Sequence, residues 1–141
     1  MNFETSRAKA LDKLDNFIEN NLSEYSKLRN FDFGPKDRSN TSCLSPYITH
    51  GIIKEKEIIQ KSLNKFSFSK NEKFIQEVLW RTYWKGWLEL RPNVWNDYLI
   101  ELNNVREDFN NDQNYLNAIK GKTNIECFNQ WVNELKENNY L

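Results

Sequence analysis

The chain has 141 residues, 38% of them hydrophobic and 14% aromatic, enough to bury the core of one ordinary domain. Twenty basic residues balance twenty acidic ones and the pI is near 6.6, which excludes the global positive excess behind sequence-blind nucleic-acid binding and leaves only a local basic face for it. No run approaches the ~20 apolar residues of a bilayer span, residues 1–10 lack the apolar segment of a secretory signal, and Cys43 and Cys127 form no metal or redox spacing. A reduced, cytoplasmic protein with no metal site and no membrane partner is expected.

Helical periodicity dominates, and no stretch alternates cleanly between apolar and polar residues. Thr5 or Ser6 can cap a first helix whose stripe reads Ala10, Leu11, Leu14, Phe17, Ile18. A second segment, 22–29, follows the Asn20-Asn21 break, and residues 30–40 read as a loop turned by Gly34-Pro35 and Asp37. A short helix is expected within 42–50, with Pro46 in its first turn and Gly51 at its end. Residues 54–66 carry Ile58, Ile59 and Leu63 on one face. Ser69 can cap the longest helix, 70–91, which Pro92 should stop. Helices around 94–102, 114–119 and 125–137 complete the chain, with Thr123 or Asn124 as cap of the last. The expectation is an all-α multi-helix bundle spanning 1–141 as one unit.

The long helix carries the densest chemistry. Ile75, Leu79, Tyr83 and Leu90 share one side, Phe74, Glu77, Val78, Arg81 and Trp84 another, and Trp80, Trp84 and Trp87 form an adjoining aromatic ridge. A helix apolar nearly all round should be buried between layers. Glu77 and Arg81 then either satisfy each other one turn apart or face a polar ligand, with Trp80 as a stacking surface. Earlier in the chain, residues 39–46 place several hydroxyls and an amide at a helix start. That arrangement suits capping, and it also suits phosphate, which unpaired N–H groups and the positive helix end attract. His50 stands without an acid or nucleophile pattern and reads as a helix-end residue.

The run Thr41-Ser42-Cys43-Leu44-Ser45-Pro46-Tyr47, followed by Glu77-Val78-Leu79-Trp80-Arg81, resembles two consecutive signatures of the FAD-binding helical domain of the DNA photolyase and cryptochrome family, T-S-x-L-S-P-Y-L and E-L-x-W-R-E-F-Y. Tyr25 and Arg29 resemble its upstream Y-x-x-x-R pair, and residues 119–141 resemble a later stretch of the same domain. Arg81 is followed by Thr82-Tyr83-Trp84 where the family has Glu-Phe-Tyr. The block 81–95 is similar to a short photolyase-like branch without the antenna domain. The resemblance covers the N-terminal half of the helical domain; the family continues past the position of Leu141 into a second half.

This resemblance implies FAD as cofactor. Tyr25, Phe74 and Arg81 would contact it, and Thr41, Ser42, Leu44 and Ser45 would hold its pyrophosphate, with Cys43 contributing backbone. It further implies UV-damaged DNA as partner: Glu77 and Trp80 would act on an extruded pyrimidine lesion, and Arg29, Trp80 and Trp84 would meet the DNA. The implied activity is light-dependent repair of pyrimidine dimers by a deoxyribodipyrimidine photolyase-type lyase, completed by a C-terminal half polypeptide. Two alternatives stand beside it: a cryptochrome-like flavoprotein that does not repair, and a helical remnant without catalytic activity, self-associating through an uncovered apolar face.

Overall fold

The computed structural model describes residues 4–139, and these form eight α-helices with no strand among them. In chain order they are α1 (Arg7–Asn20), α2 (Leu22–Leu28), α3 (Ser45–Thr49), α4 (Glu55–Lys65), α5 (Phe68–Glu89), α6 (Pro92–Phe109), α7 (Gln113–Lys120) and α8 (Glu126–Asn138). The chain divides into two compact units, one running to Tyr83 and the other beginning at Trp84, so the division falls within α5. No helix among the described residues is long and apolar enough to cross a membrane.

The first unit is built around α1. Ser6 caps it, its side chain accepting a hydrogen bond from the Lys9 amide at 3.2 Å, and the apolar stripe buries Ala10, Leu14, Phe17 and Ile18. Both α2 and α4 pack on that stripe. Leu22, Leu44, Tyr47, Ile53, Ile58, Phe74 and Val78 close the core around it. Within α4 the expected face divides: Ile58 is buried, Ile59 packs at its edge and Leu63 is exposed. An ion pair between Arg7 and Glu57 ties α1 to α4, and the same guanidinium donates to the Ile52 carbonyl at 2.7 Å.

The turn from α4 to α5 is stapled from inside. Asn71 is fully buried, and its amide nitrogen lies 3.0, 2.8 and 3.2 Å from the carbonyl oxygens of Ser62, Phe66 and Ser67. That staple moves the helix start ahead of the expected cap. The Ser67 carbonyl already accepts from the Lys70 and Asn71 amides, and the Ser69 hydroxyl bonds the Ser67 hydroxyl instead of capping a helix.

Three further expectations are corrected. Pro92 does not merely stop a helix; it sits at the first turn of α6, where its missing N–H costs nothing, and α6 runs to Phe109 rather than ending near 102. Ile125 rather than Thr123 or Asn124 occupies the cap position of α8, because the Thr123 hydroxyl and amide are both engaged by Asn129 at 2.8 Å. The expectation that α5 is buried all round also fails. Phe74, Ile75 and Val78 are buried, whereas Leu79, Trp80, Tyr83 and Trp84 are about half exposed. The buried positions of α5 all fall in its first half.

In the second unit α7 packs against α8, and Gly121 permits the approach. It takes the left-handed conformation at φ +69°, and a Cβ there would meet the Val132 side chain at 3.0 Å. No residue of α6, α7 or α8 is buried.

Two tests follow from the first unit. Asn71→Ala leaves three backbone carbonyls short of a buried donor and should cost about 1–3 kcal/mol in chemical denaturation. Arg7, and then the Lys54 amide, hold the Glu57 carboxyl at about 2 against an ordinary 4.5. Its stabilising contribution is complete above the ordinary value and is lost as pH falls towards about 2. Thermal melts of Glu57→Gln should therefore show a shallower loss of Tm across that acid window than the parent chain.

Candidate functional site

The loop 30–44 reaches the core through two side chains. Asn40, itself buried, donates to the carbonyls of Leu28 at 3.1 Å and Phe31 at 2.7 Å, holding the loop to the end of α2. Leu44 then plugs the core at the start of α3. Between them Cys43 adopts φ +50°, a left-handed conformation rarely taken by residues other than glycine, asparagine and aspartate. The backbone so bent leaves the hydroxyls of Ser42 and Ser45 on the edge of a hollow.

That hollow, with a volume of about 160 Å³, is lined by Tyr25 of α2, Ser42, Ser45 and Ile48 around α3, and Phe74, Glu77, Val78 and Arg81 of α5. Tyr25 and Phe74 belong to an aromatic triplet with Phe17. Ring centroids are 5.8 Å apart for Phe17–Tyr25, 5.3 Å for Phe17–Phe74 and 5.4 Å for Tyr25–Phe74. No side chain caps α3, and among the described residues neither Ser42 nor Ser45 uses its hydroxyl in a hydrogen bond within the protein. Capping, the simpler account of this serine-rich turn, is not what these hydroxyls do here.

Glu77 and Arg81 do not pair with each other. Arg29 donates to the Glu77 carboxylate at 2.6 Å, joining α2 to α5. Arg81 donates to the Thr49 hydroxyl at 2.7 Å, and that hydroxyl in turn donates to the Ser45 carbonyl at 2.8 Å. Among the described residues no carboxylate lies in ion-pair range of Arg81, so its charge meets only a neutral partner. Burial raises the Tyr25 phenol above its ordinary value; the Glu77 charge raises it further and the Arg29 charge opposes.

Of the expected site residues, Tyr25, Ser42, Ser45, Phe74, Glu77 and Arg81 thus share one hollow. Others do not line it. Leu44 is buried, so only its backbone could meet a ligand. Thr41 is exposed, with its hydroxyl 3.4 Å from the Arg38 carbonyl and 3.5 Å from the Cys43 sulfur. Trp80 is half exposed and meets Tyr83 edge-on at 5.4 Å. Trp84 belongs to the second unit, where it meets Trp87 at 5.6 Å. Ile48, which lines the hollow, and Thr49, which holds Arg81, do not stand out as site residues in the sequence. The spacing of Thr49, four residues after Ser45 on one helical turn, was the available signal. Among the described residues no group of acidic, histidine or cysteine side chains could hold a metal ion.

No family model matches the chain, and no solved structure matches it. Among curated proteins it is similar to the deoxyribodipyrimidine photo-lyase of Vibrio cholerae serotype O1 (strain ATCC 39315 / El Tor Inaba N16961), with 22% identity over 144 residues. The match covers 99% of this chain and 29% of that protein. The similarity supports a relationship to the photolyase family, and the chain spans less than a third of its relative's length.

The electrostatics of the hollow can be read through Tyr25. Removing the charge with Glu77→Gln should lower the Tyr25 phenol towards its ordinary value, and Arg29→Ala should raise it, since the two charges act in opposite senses. Tyrosinate absorbance titrations, each referenced to a Tyr25→Phe background, check both directions.

Proposed function

We propose that the unit built from α1 to the first half of α5 is the cofactor-holding part of a photolyase-like flavoprotein. The observation that carries this reading is the shared hollow, which combines two unengaged hydroxyls, an arginine with no carboxylate partner among the described residues and two aromatic walls. Hydroxyls and guanidinium are donors, and together they suit the phosphate-bearing part of FAD. Tyr25 and Phe74 would bound the ligand beside them. At about 160 Å³ the hollow is smaller than the roughly 300–1,000 Å³ of sites that enclose drug-sized ligands, so it fits one segment of the dinucleotide. Walls for the remainder would come from a second half, either a C-terminal partner polypeptide or further chain.

When bound, the flavin would supply light-driven electron transfer, and the protein supplies position and electrostatics. The exposed indole of Trp80 offers a face on which an extruded base of UV-damaged DNA can stack, and Glu77 offers an acceptor for its hydrogen-bonding edge. Arg29 would then exchange the Glu77 carboxylate for a DNA phosphate. Light-dependent repair of pyrimidine dimers is accordingly the leading reading. A flavoprotein that binds without repairing is the second, favoured by the Arg29–Glu77 pair, which engages both groups that repair would use.

FAD titrated into the purified chain together with a candidate C-terminal-half polypeptide, followed by flavin fluorescence, tests the shared part of both readings. Arg81→Ala should weaken binding by about tenfold or more, the value of one charge-assisted hydrogen bond. Flavin binding that is absent, or indifferent to Arg81, overturns the assignment. Illuminating the flavin-loaded, reconstituted protein with a dimer-containing oligonucleotide separates the two readings, because restored pyrimidines select repair.

A further inference from the structure

The eighteen residues of α6 form a regular helix in which nothing is buried. Tertiary packing of an apolar face supplies most helical stability in proteins, so such a helix gains little from its own fold. Its sequence is not that of a solvated helix. Trp95, Tyr98, Leu102, Val105 and Phe109 follow one another at spacings of three, four, three and four residues. This is the a/d repeat of a left-handed helix–helix seam, whose natural neighbour is another helix carrying a matching seam. Trp95 and Tyr98 are each 53% exposed, and Val105 and Phe109 are 43% and 45% exposed.

We propose that α6 is a self-association surface, on which α6 of a second copy of this chain lies parallel and in register. Charge complementarity selects both the occupant and its direction. With Trp95 and Leu102 at a positions, Glu101 takes g and Arg106 takes e, and Asp108 takes the next g. In a parallel pair each g residue faces the e residue five positions further along the other helix, so Glu101 faces Arg106 of the second copy, twice by symmetry. In an antiparallel pair g faces g, which sets Glu101 against Asp108 and repels. Glu101 and Arg106 are both exposed, and among the described residues neither takes part in an ion pair or a side-chain hydrogen bond. Both are free for the partner.

The size of the face agrees with this arrangement. Val94, Leu99 and the five seam residues, at around 200 Å² each and somewhat under half exposed, present roughly 600 Å² of apolar surface, against ~800 Å² per partner in a standard interface. The stems of Glu101, Arg106 and Asp108 flank the seam and extend it.

Sedimentation of the full chain over a concentration series should give a dimer of twice 17.0 kDa, dissociating in the micromolar range. Because Glu101 and Arg106 are exposed and have no ion-pair partner among the described residues, reversing their charges leaves the fold intact, which circular dichroism verifies. Glu101→Arg or Arg106→Glu alone turns two attractive pairs into two repulsive ones and should weaken the dimer about tenfold. The double variant E101R/R106E restores the pairing and should return the dissociation constant to within about threefold of the parent. A chain that stays monomeric at every concentration, a dimer indifferent to the single reversals, or a dimer that the double variant fails to rescue overturns the proposal. Association through α6 only with some other helical polypeptide also overturns it.

Discussion

Phe74 completes a triangle of rings with Phe17 and Tyr25, at 5.3 and 5.4 Å from each, and that aromatic contact fixes how α5 is turned about its own axis. Positions three, four and seven residues further along share the face of Phe74. Val78 accordingly follows it into the core, while Glu77 and Arg81 emerge together on one flank of the buried stripe, facing the hollow. Their polar groups then reach different elements: Glu77 meets Arg29 at the end of α2, and Arg81 meets Thr49 on α3. A rotation of α5 by one residue would carry all four positions off the hollow together. The candidate site depends on a hydrophobic contact among three rings, two of which also line the hollow.

Apolar surface is distributed very unevenly along the chain. Among the described residues every buried hydrophobic side chain lies between Ala10 and Val78, whereas fifteen large apolar side chains from Trp84 onward are more than a third exposed. Charge is uneven as well. Fourteen basic residues face eleven acidic ones up to Tyr83, and six face nine beyond it, so a neutral total conceals +3 in the first unit and −3 in the second. The unit that holds the hollow is thus the one with a positive balance, which is the sign that phosphate-bearing ligands require. Whole-chain composition averages these opposite halves to nothing.

Local signals made most of the fold legible. The stripe of α1, its Ser6 cap, the end of α3 at Gly51 and the helical class of every segment follow from periodicity and capping chemistry alone. The misses lie where a tertiary partner outranks a local preference. Ser69 is a good cap residue, yet the buried amide of Asn71 draws the preceding carbonyls into place and starts α5 earlier. Thr123 is another good cap residue, but Asn129 occupies it first. For α5 the helical wheel showed apolar residues all round and could not show which side would lack a neighbour. In the hollow, serines and arginine stood out by type, while Thr49 matters only because α3 brings its hydroxyl to Arg81.

Three arginines of the first unit illustrate how one side-chain type is put to different ends by its partner. Arg7 meets Glu57 and joins α1 to α4, and Arg29 meets Glu77 and joins α2 to α5; in each case the charge is answered within the protein. Arg81 is partly buried and meets a hydroxyl, which accepts one hydrogen bond and neutralises nothing. A guanidinium has five donors, and withdrawing it from water without a counter-charge costs free energy. The hollow beside Arg81 is where an anion would recover that cost, because the Ser42 and Ser45 hydroxyls on its other side can donate to the same group. The two paired arginines hold the helices in place, and their being satisfied is what leaves Arg81 as the unspent positive charge of the site.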